Sequence, residues 1–113
     1  MFTERNADHV EDALWAKSLS LGQGDETIIL CVVDTCMMPR DLIDQAKRQV
    51  QVMTGVSTDR MMISATHTHS APSAMGCLGS RVDPAYARFL PSLMAQSMIE
   101  AFQRMEPSRL AWA

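Results

Sequence analysis

Residues 64–72 read Ser-Ala-Thr-His-Thr-His-Ser-Ala-Pro. Two of the chain's three histidines, His67 and His69, stand here with one residue between them. They follow the short apolar stretch Met61-Met62-Ile63-Ser64-Ala65. If the backbone stays extended past that stretch, positions i and i+2 point to the same side, and both imidazoles face one pocket. In open α/β sheets, ligands bind outside the carboxyl ends of the parallel strands. Asp34 closes the preceding apolar stretch and is expected at that same end. Two imidazoles and a carboxylate converging there suit a zinc ion and its supporting groups. The same residues also suit plainer roles. Neighbouring histidines cap backbone groups or titrate in solvent, and an aspartate at a strand end serves a turn or a helix cap.

The H-x-H pair alone does not choose an enzyme class. The metallo-β-lactamase pattern H-x-H-x-D-H fails, because Ala71 and Pro72 stand where Asp and His are needed. Barrel amidohydrolases carry H-x-H after their first strand, which does not suit the hairpin expected here. Neither a G-x-S-x-G elbow nor a P-loop is present. Ser70 is in reach of a histidine or a substrate, with a loop role as the alternative. Arg81 reads as a solvated surface residue, and His9 lies in a polar, exposed stretch. Met37, Met38 and Met75 flank the expected pocket; most of the ten methionines read as gap-filling core. Three cysteines with no paired C-x-x-C motifs exclude a zinc knuckle and argue against a disulfide framework. They fit a reducing compartment. Cys31 lies within an apolar run and reads as a small buried hydrophobe.

The elements that must position these residues alternate strand and helix. Residues 13–20 read as a strand, residues 21–26 as a turn, and residues 27–33 as a continuous apolar strand covered on both faces. The two strands are expected to form an antiparallel hairpin. Pro39 suits the first position of a helix, with Asp41 and Asp44 near its positive end. Leu42, Ile43, Ala46, Val50 and Met53 recur at helical spacing, and Gly55 is placed to close the helix in the left-handed conformation. With the strand at residues 61–65 this makes a βαβ unit with a right-handed crossover. Residues 66–83 form a long loop, a length that tends to be functional or disordered. Asp83-Pro84 open a second helix with Tyr86, Phe89, Leu90, Leu93, Met94, Ser97, Met98, Ala101, Phe102 and Met105 on its apolar face. Pro91 should kink or restart that helix. Pro107 ends it, and residues 109–113 begin to look like another strand. The expected fold is α/β: a hairpin plus two consecutive right-handed βαβ units in a mixed, mostly parallel sheet. Residues 1–113 then form one α/β domain or a fragment of a larger zinc hydrolase catalytic domain. The alternative is a complete small domain that pairs with a second copy through the last strand, whose edge nothing covers.

Length and charge narrow the function classes. A chain of 113 residues allows one domain. With 10 Lys+Arg against 13 Asp+Glu, it lacks the basic face that nucleic-acid binding requires. Its 47% apolar and 20% charged residues are those of a folded chain. The longest apolar run, Ile28 to Val33, is too short to span a bilayer, and the polar start has no apolar leader core.

The string from Met62 to Pro72 resembles the hallmark of the neutral/alkaline, non-lysosomal ceramidase family, a strand followed by T-H-T-H-S-G-P. Ala71 stands where that family has Gly. The resemblance covers residues 10–113. It takes in the apolar strand closing on Asp34, the helix leading to Thr54-Gly55-Val56, and Asp83-Pro84-Ala85-Tyr86 opening the next helix. It implies zinc as cofactor and a lipid amide as substrate: N-acyl-sphingosine, cleaved to sphingosine and fatty acid, with access from a membrane surface. By resemblance His67 is the first zinc ligand, and His69 is the second histidine, which binds substrate or stabilises the tetrahedral intermediate. The family's further His, Glu and Tyr ligands would fall beyond Ala113, so the isolated chain is expected to be nearly inactive. Two competing readings are a non-catalytic, oligomeric α/β module and a metal-dependent hydrolase acting on an unrelated substrate.

Overall fold

A computed structural model describes residues 4–111. Strand β1 (Ala16–Gln23) turns into β2 (Glu26–Val33), followed by helix α1 (Arg40–Thr54), strand β3 (Met61–Ala65) and helix α2 (Pro84–Gln103). The sheet order is β1-β2-β3, antiparallel between β1 and β2 and parallel between β2 and β3. This is the expected α/β class, with a mixed sheet. The hairpin turn is only two residues long, because Gln23 pairs directly with Glu26. Gly24 takes a φ of 59° at its first position, as a type II′ turn requires. The turn therefore fixes the register, and β1 begins and ends three residues later than the sequence suggests.

Helix α1 starts one residue after the expected point. Pro39, extended with φ −70° and ψ 151°, is its N-cap and not its first helical residue. Gly55 closes it as anticipated, with φ 76° and its N–H donating to the Gln51 carbonyl at 2.9 Å. Asp83 caps α2 by accepting from the Ala85 and Tyr86 N–H groups at 2.9 and 3.0 Å. Pro91 neither breaks nor restarts α2, which runs unbroken from Pro84 to Gln103. Its ring is fully buried among core residues, and this burial opposes the lost backbone hydrogen bond.

Both helices lie on one face of the sheet. Ile29, Cys31 and Val33 of β2 and Met61 of β3 meet Leu42, Ala46 and Val50 of α1 and Leu90, Met94 and Met98 of α2 in one core. Helix α2 reaches β1 because Ala16, Ser18 and Ser20 on that face are small. Ser97 Oγ donates to the Ala16 carbonyl at 2.9 Å, and Ser18 Oγ must then donate to Ser97 Oγ at 2.8 Å. The other face of the sheet has no cover among the described residues. Leu19, Ile28, Val32 and Met62 stand on it between 38% and 54% exposed. The apolar run of β2 suggested two buried faces; its burial in fact alternates, since both helices went to the same side. Met53, Phe89 and Leu93, expected on helix faces in the core, are also exposed.

A second βαβ unit is not completed among the described residues. Arg109, Leu110 and Ala111 are irregular and exposed, so the sheet has three strands; Trp112 and Ala113 lie outside the described residues. Pairing through this segment has no formed strand to rest on within residues 109–111. No helix among the described residues is long and apolar enough to cross a membrane.

Two buried hydroxyl oxygens, Ser20 Oγ and Thr35 Oγ1, have no hydrogen-bond partner among the described residues. Thr35 is the fully buried residue of the two. A buried hydroxyl without a partner costs about 1–3 kcal/mol. Thr35→Val keeps the shape and removes the hydroxyl. It is expected to raise the unfolding free energy by about 1 kcal/mol, read as a higher urea midpoint at unchanged slope.

Candidate metal centre

Strands β2 and β3 run parallel and end side by side, with Val33 opposite Ala65. The Val33 carbonyl accepts from both Thr35 and Thr66 N–H groups, each at 2.9 Å, and so ties together the two segments that leave the sheet. Beyond this tie β2 leads through Asp34, Thr35 and Cys36, and β3 leads through Thr66 to His67. His67 takes a φ of 62°, the left-handed region. Histidine enters that region more readily than most residues, but its presence there still marks a constrained backbone. The extended backbone assumed for the H-x-H pair is therefore not what the chain adopts. The rings converge all the same, with centroids 4.9 Å apart and planes crossed at 79°. The turn at His67 does the work that strand alternation was expected to do.

The turn also brings His67 onto Cys36. His67 Nδ1 lies 2.9 Å from the Cys36 carbonyl oxygen and 3.8 Å from its Sγ. A carbonyl only accepts, so Nδ1 carries the proton, and the neutral ring keeps its lone pair on Nε2. A backbone carbonyl that fixes the tautomer in this way is the usual support of a metal-binding histidine. One ligand atom each from Cys36, His67 and His69 lie within 4.8 Å of one another, so these three residues can hold a metal ion. Both histidines are exposed and Cys36 is half-buried, which leaves the centre open to an ion from solvent. Desolvation and the neighbouring Cys77 thiol push the Cys36 thiol above its ordinary value. A metal must therefore displace a proton from Cys36, and binding weakens as pH falls.

Asp34 has another partner. Its Oδ2 accepts the Trp15 N–H at 3.0 Å while its own N–H donates to the Trp15 carbonyl at 2.8 Å, which extends the β1–β2 ladder by one pair. It lines the same open cleft as Thr68, His69 and Ser70, but it is not in the group that can hold a metal. Ser70 contributes its N–H to Thr68 Oγ1 at 3.3 Å. His9 also reaches this cleft, between Asp8 and Glu11 at 2.7 and 2.9 Å. Arg81 pairs with Glu4 at 2.9 Å and is well exposed, as its solvated reading anticipated. Met37, Met38 and Met75 do not line the cleft.

Cys36 is the residue that sequence reasoning missed. The signal was present: the argument that placed Asp34 at the carboxyl end of β2 applies equally to a cysteine two residues on. No protein-family model, no curated protein and no solved structure matches this chain. The site therefore stands on its own geometry. Asp34→Ala is expected to cost about 1 kcal/mol of stability through the lost Trp15 bond and to leave zinc affinity unchanged within about twofold. Denaturation and zinc titration of the same variant check both halves.

Proposed function

We propose that this chain carries the histidine-bearing centre of a zinc-dependent amide hydrolase of ceramidase type, acting on an N-acyl sphingoid base. The observation that supports it is the meeting of the Cys36 thiol with the His67 and His69 imidazoles at the carboxyl end of two parallel strands. The donor set fits zinc, which prefers thiolate and imidazole ligands. Three protein donors with a fourth position left over is the pattern of catalytic zinc sites, whereas structural sites are closed. Zinc, when bound, supplies a Lewis acid and a water that ionises near neutral pH. The Cys36 carbonyl orients the His67 ring, and Thr68, His69 and Ser70 line the cleft from which a substrate carbonyl would approach. The motif's likeness to the ceramidase family supports the choice of a lipid amide, whose C–N bond water would cleave to a fatty acid and an amine.

The likeness would give His69 a second duty, donating to the oxyanion that develops on the carbonyl. Its ring sits edge-on to His67 and has no side-chain hydrogen bond among the described residues, so both duties are open to it. His69→Ala separates them. Loss of a ligand weakens zinc binding as His67→Ala does, whereas loss of an oxyanion donor that is not a ligand leaves zinc affinity unchanged.

A second reading, a non-catalytic module that associates with other chains, is favoured by the uncovered apolar sheet face. It predicts a metal-free protein whose mass in solution drops to that of one chain on Leu19→Lys. The hydrolase reading predicts one zinc per chain, with affinity reduced at least about tenfold in His67→Ala. Equal zinc binding by the wild type and His67→Ala would sink it.

A further inference from the structure

Strand β1 is paired on one side only, with β2, and its other edge is open. Gln23 and Glu26 pair across the two-residue turn, and the Asp34 N–H donates to the Trp15 carbonyl at 2.8 Å at the far end of the same ladder. Backbone groups alternate in direction along an antiparallel strand, so Lys17, Leu19 and Leu21 turn theirs toward β2. Ala16, Ser18, Ser20 and Gly22 turn theirs outward. The Ala16 carbonyl is engaged, accepting from Ser97 Oγ at 2.9 Å. The outward N–H and C=O groups of Ser18, Ser20 and Gly22 have no hydrogen-bond partner among the described residues. Ser20 Oγ on the same strand has none either. The strand is eight residues long, with neither proline nor bulge, and its one charge, Lys17, stands near its beginning. Few of the devices that guard a sheet edge are therefore present.

Two neighbours of the edge narrow its occupant. Residues 106–110 border the same open groove, but none of their backbone groups bonds β1. A strand laid there by the chain directly after α2 would step back across the sheet, opposite to the step from β2 to β3, with both helices on one face. The two crossovers would then have opposite hands, whereas about 98% of such connections are right-handed. The edge is instead complementary to itself. Glu100 and Arg104 stand one turn apart on and just after α2 in that groove, in a loose ion pair of 3.6 Å. A second copy brought up antiparallel sets each of them against the opposite charge on the other copy.

We propose that β1 is a dimerisation edge. Two copies join through it antiparallel, about a two-fold axis normal to the sheet, so that the three strands of each copy form one continuous sheet with all helices on the same face. Ser18, Ser20 and Gly22 exchange backbone hydrogen bonds across the pair. Ser20 Oγ, turned about χ1, meets a serine hydroxyl on the opposing strand. The assembly closes at two copies, because the edges left over are the short β3 strands of five residues. No residue of the metal-capable group lies on this edge, so the inference goes beyond the metal reading and stands apart from it. It also differs from association through the open apolar face, where whole sheets would stack.

Light scattering and amide hydrogen exchange test it together. The expected result is a mass of two chains, with the Ser18, Ser20 and Gly22 amides protected in the dimer and exchanging freely once dilution gives single chains. The Lys17, Leu19 and Leu21 amides bond β2 and stay protected in both states, which makes them the internal control. Ser20→Pro removes an outward N–H and spares the ladder to β2, so it is expected to halve the mass. Glu100→Arg is expected to weaken the pair, and Glu100→Arg combined with Arg104→Glu to restore it, which keeps the test decisive if Ser20→Pro does not fold. A single-chain mass for the concentrated wild type overturns the proposal, as does a mass that neither Ser20→Pro nor Glu100→Arg lowers. A dimer whose Ser18, Ser20 and Gly22 amides exchange freely overturns it as well, and points to stacking through the open face.

Discussion

The centre depends on one tie at the end of the parallel pair. The Val33 carbonyl accepts both Thr35 and Thr66 N–H groups, so the segments leaving β2 and β3 begin from a common point. From there only a few residues separate Cys36 from His67. The His67 ring closes the gap by donating to the Cys36 carbonyl, and that bond sets the ring's tautomer. Register is therefore part of the chemistry. A slip of one residue between β2 and β3 would turn their alternating side chains to the opposite faces and separate the two segments.

The left-handed His67 is the other constraint. Such a conformation costs of order 1–3 kcal/mol in a residue other than glycine and persists only where its surroundings enforce it. Here the strand pairing behind it and the Cys36 carbonyl in front supply the enforcement. The result is an edge-on pair of imidazoles beside a thiol. Strand alternation alone would have left them spaced along an extended backbone. The helices contribute indirectly: by burying Ile29, Cys31, Val33 and Met61 they hold the strands whose ends carry the donors.

One cysteine kept its meaning between sequence and structure, and another changed it. Cys31 is the small core residue its apolar setting announced, and burial pushes its thiol up. Cys36 had no such context, because it stands between the apolar strand and the helix that follows, outside either periodic pattern. Its partner in chemistry, His67, is far along the chain, and their approach follows from strand order and from the turn at His67. Asp34 shows the reverse: a carboxylate suited by type and place to a metal, whose Oδ2 accepts the backbone N–H of Trp15, itself brought alongside by the hairpin.

What the sequence determined by itself was local. Gly24 marked the hairpin turn, Gly55 and Asp83 marked helix ends, the apolar runs marked strands, and Thr-His-Thr-His marked the point of interest. Each of these signals acts through residues close along the chain, where backbone sterics and capping bonds decide the outcome. The tertiary structure decided which face of the sheet the helices cover, whether Pro91 interrupts α2, and which donors meet at the strand ends. Those outcomes rest on contacts between residues distant in sequence, and they are settled by how the whole core packs, which composition and periodicity do not encode.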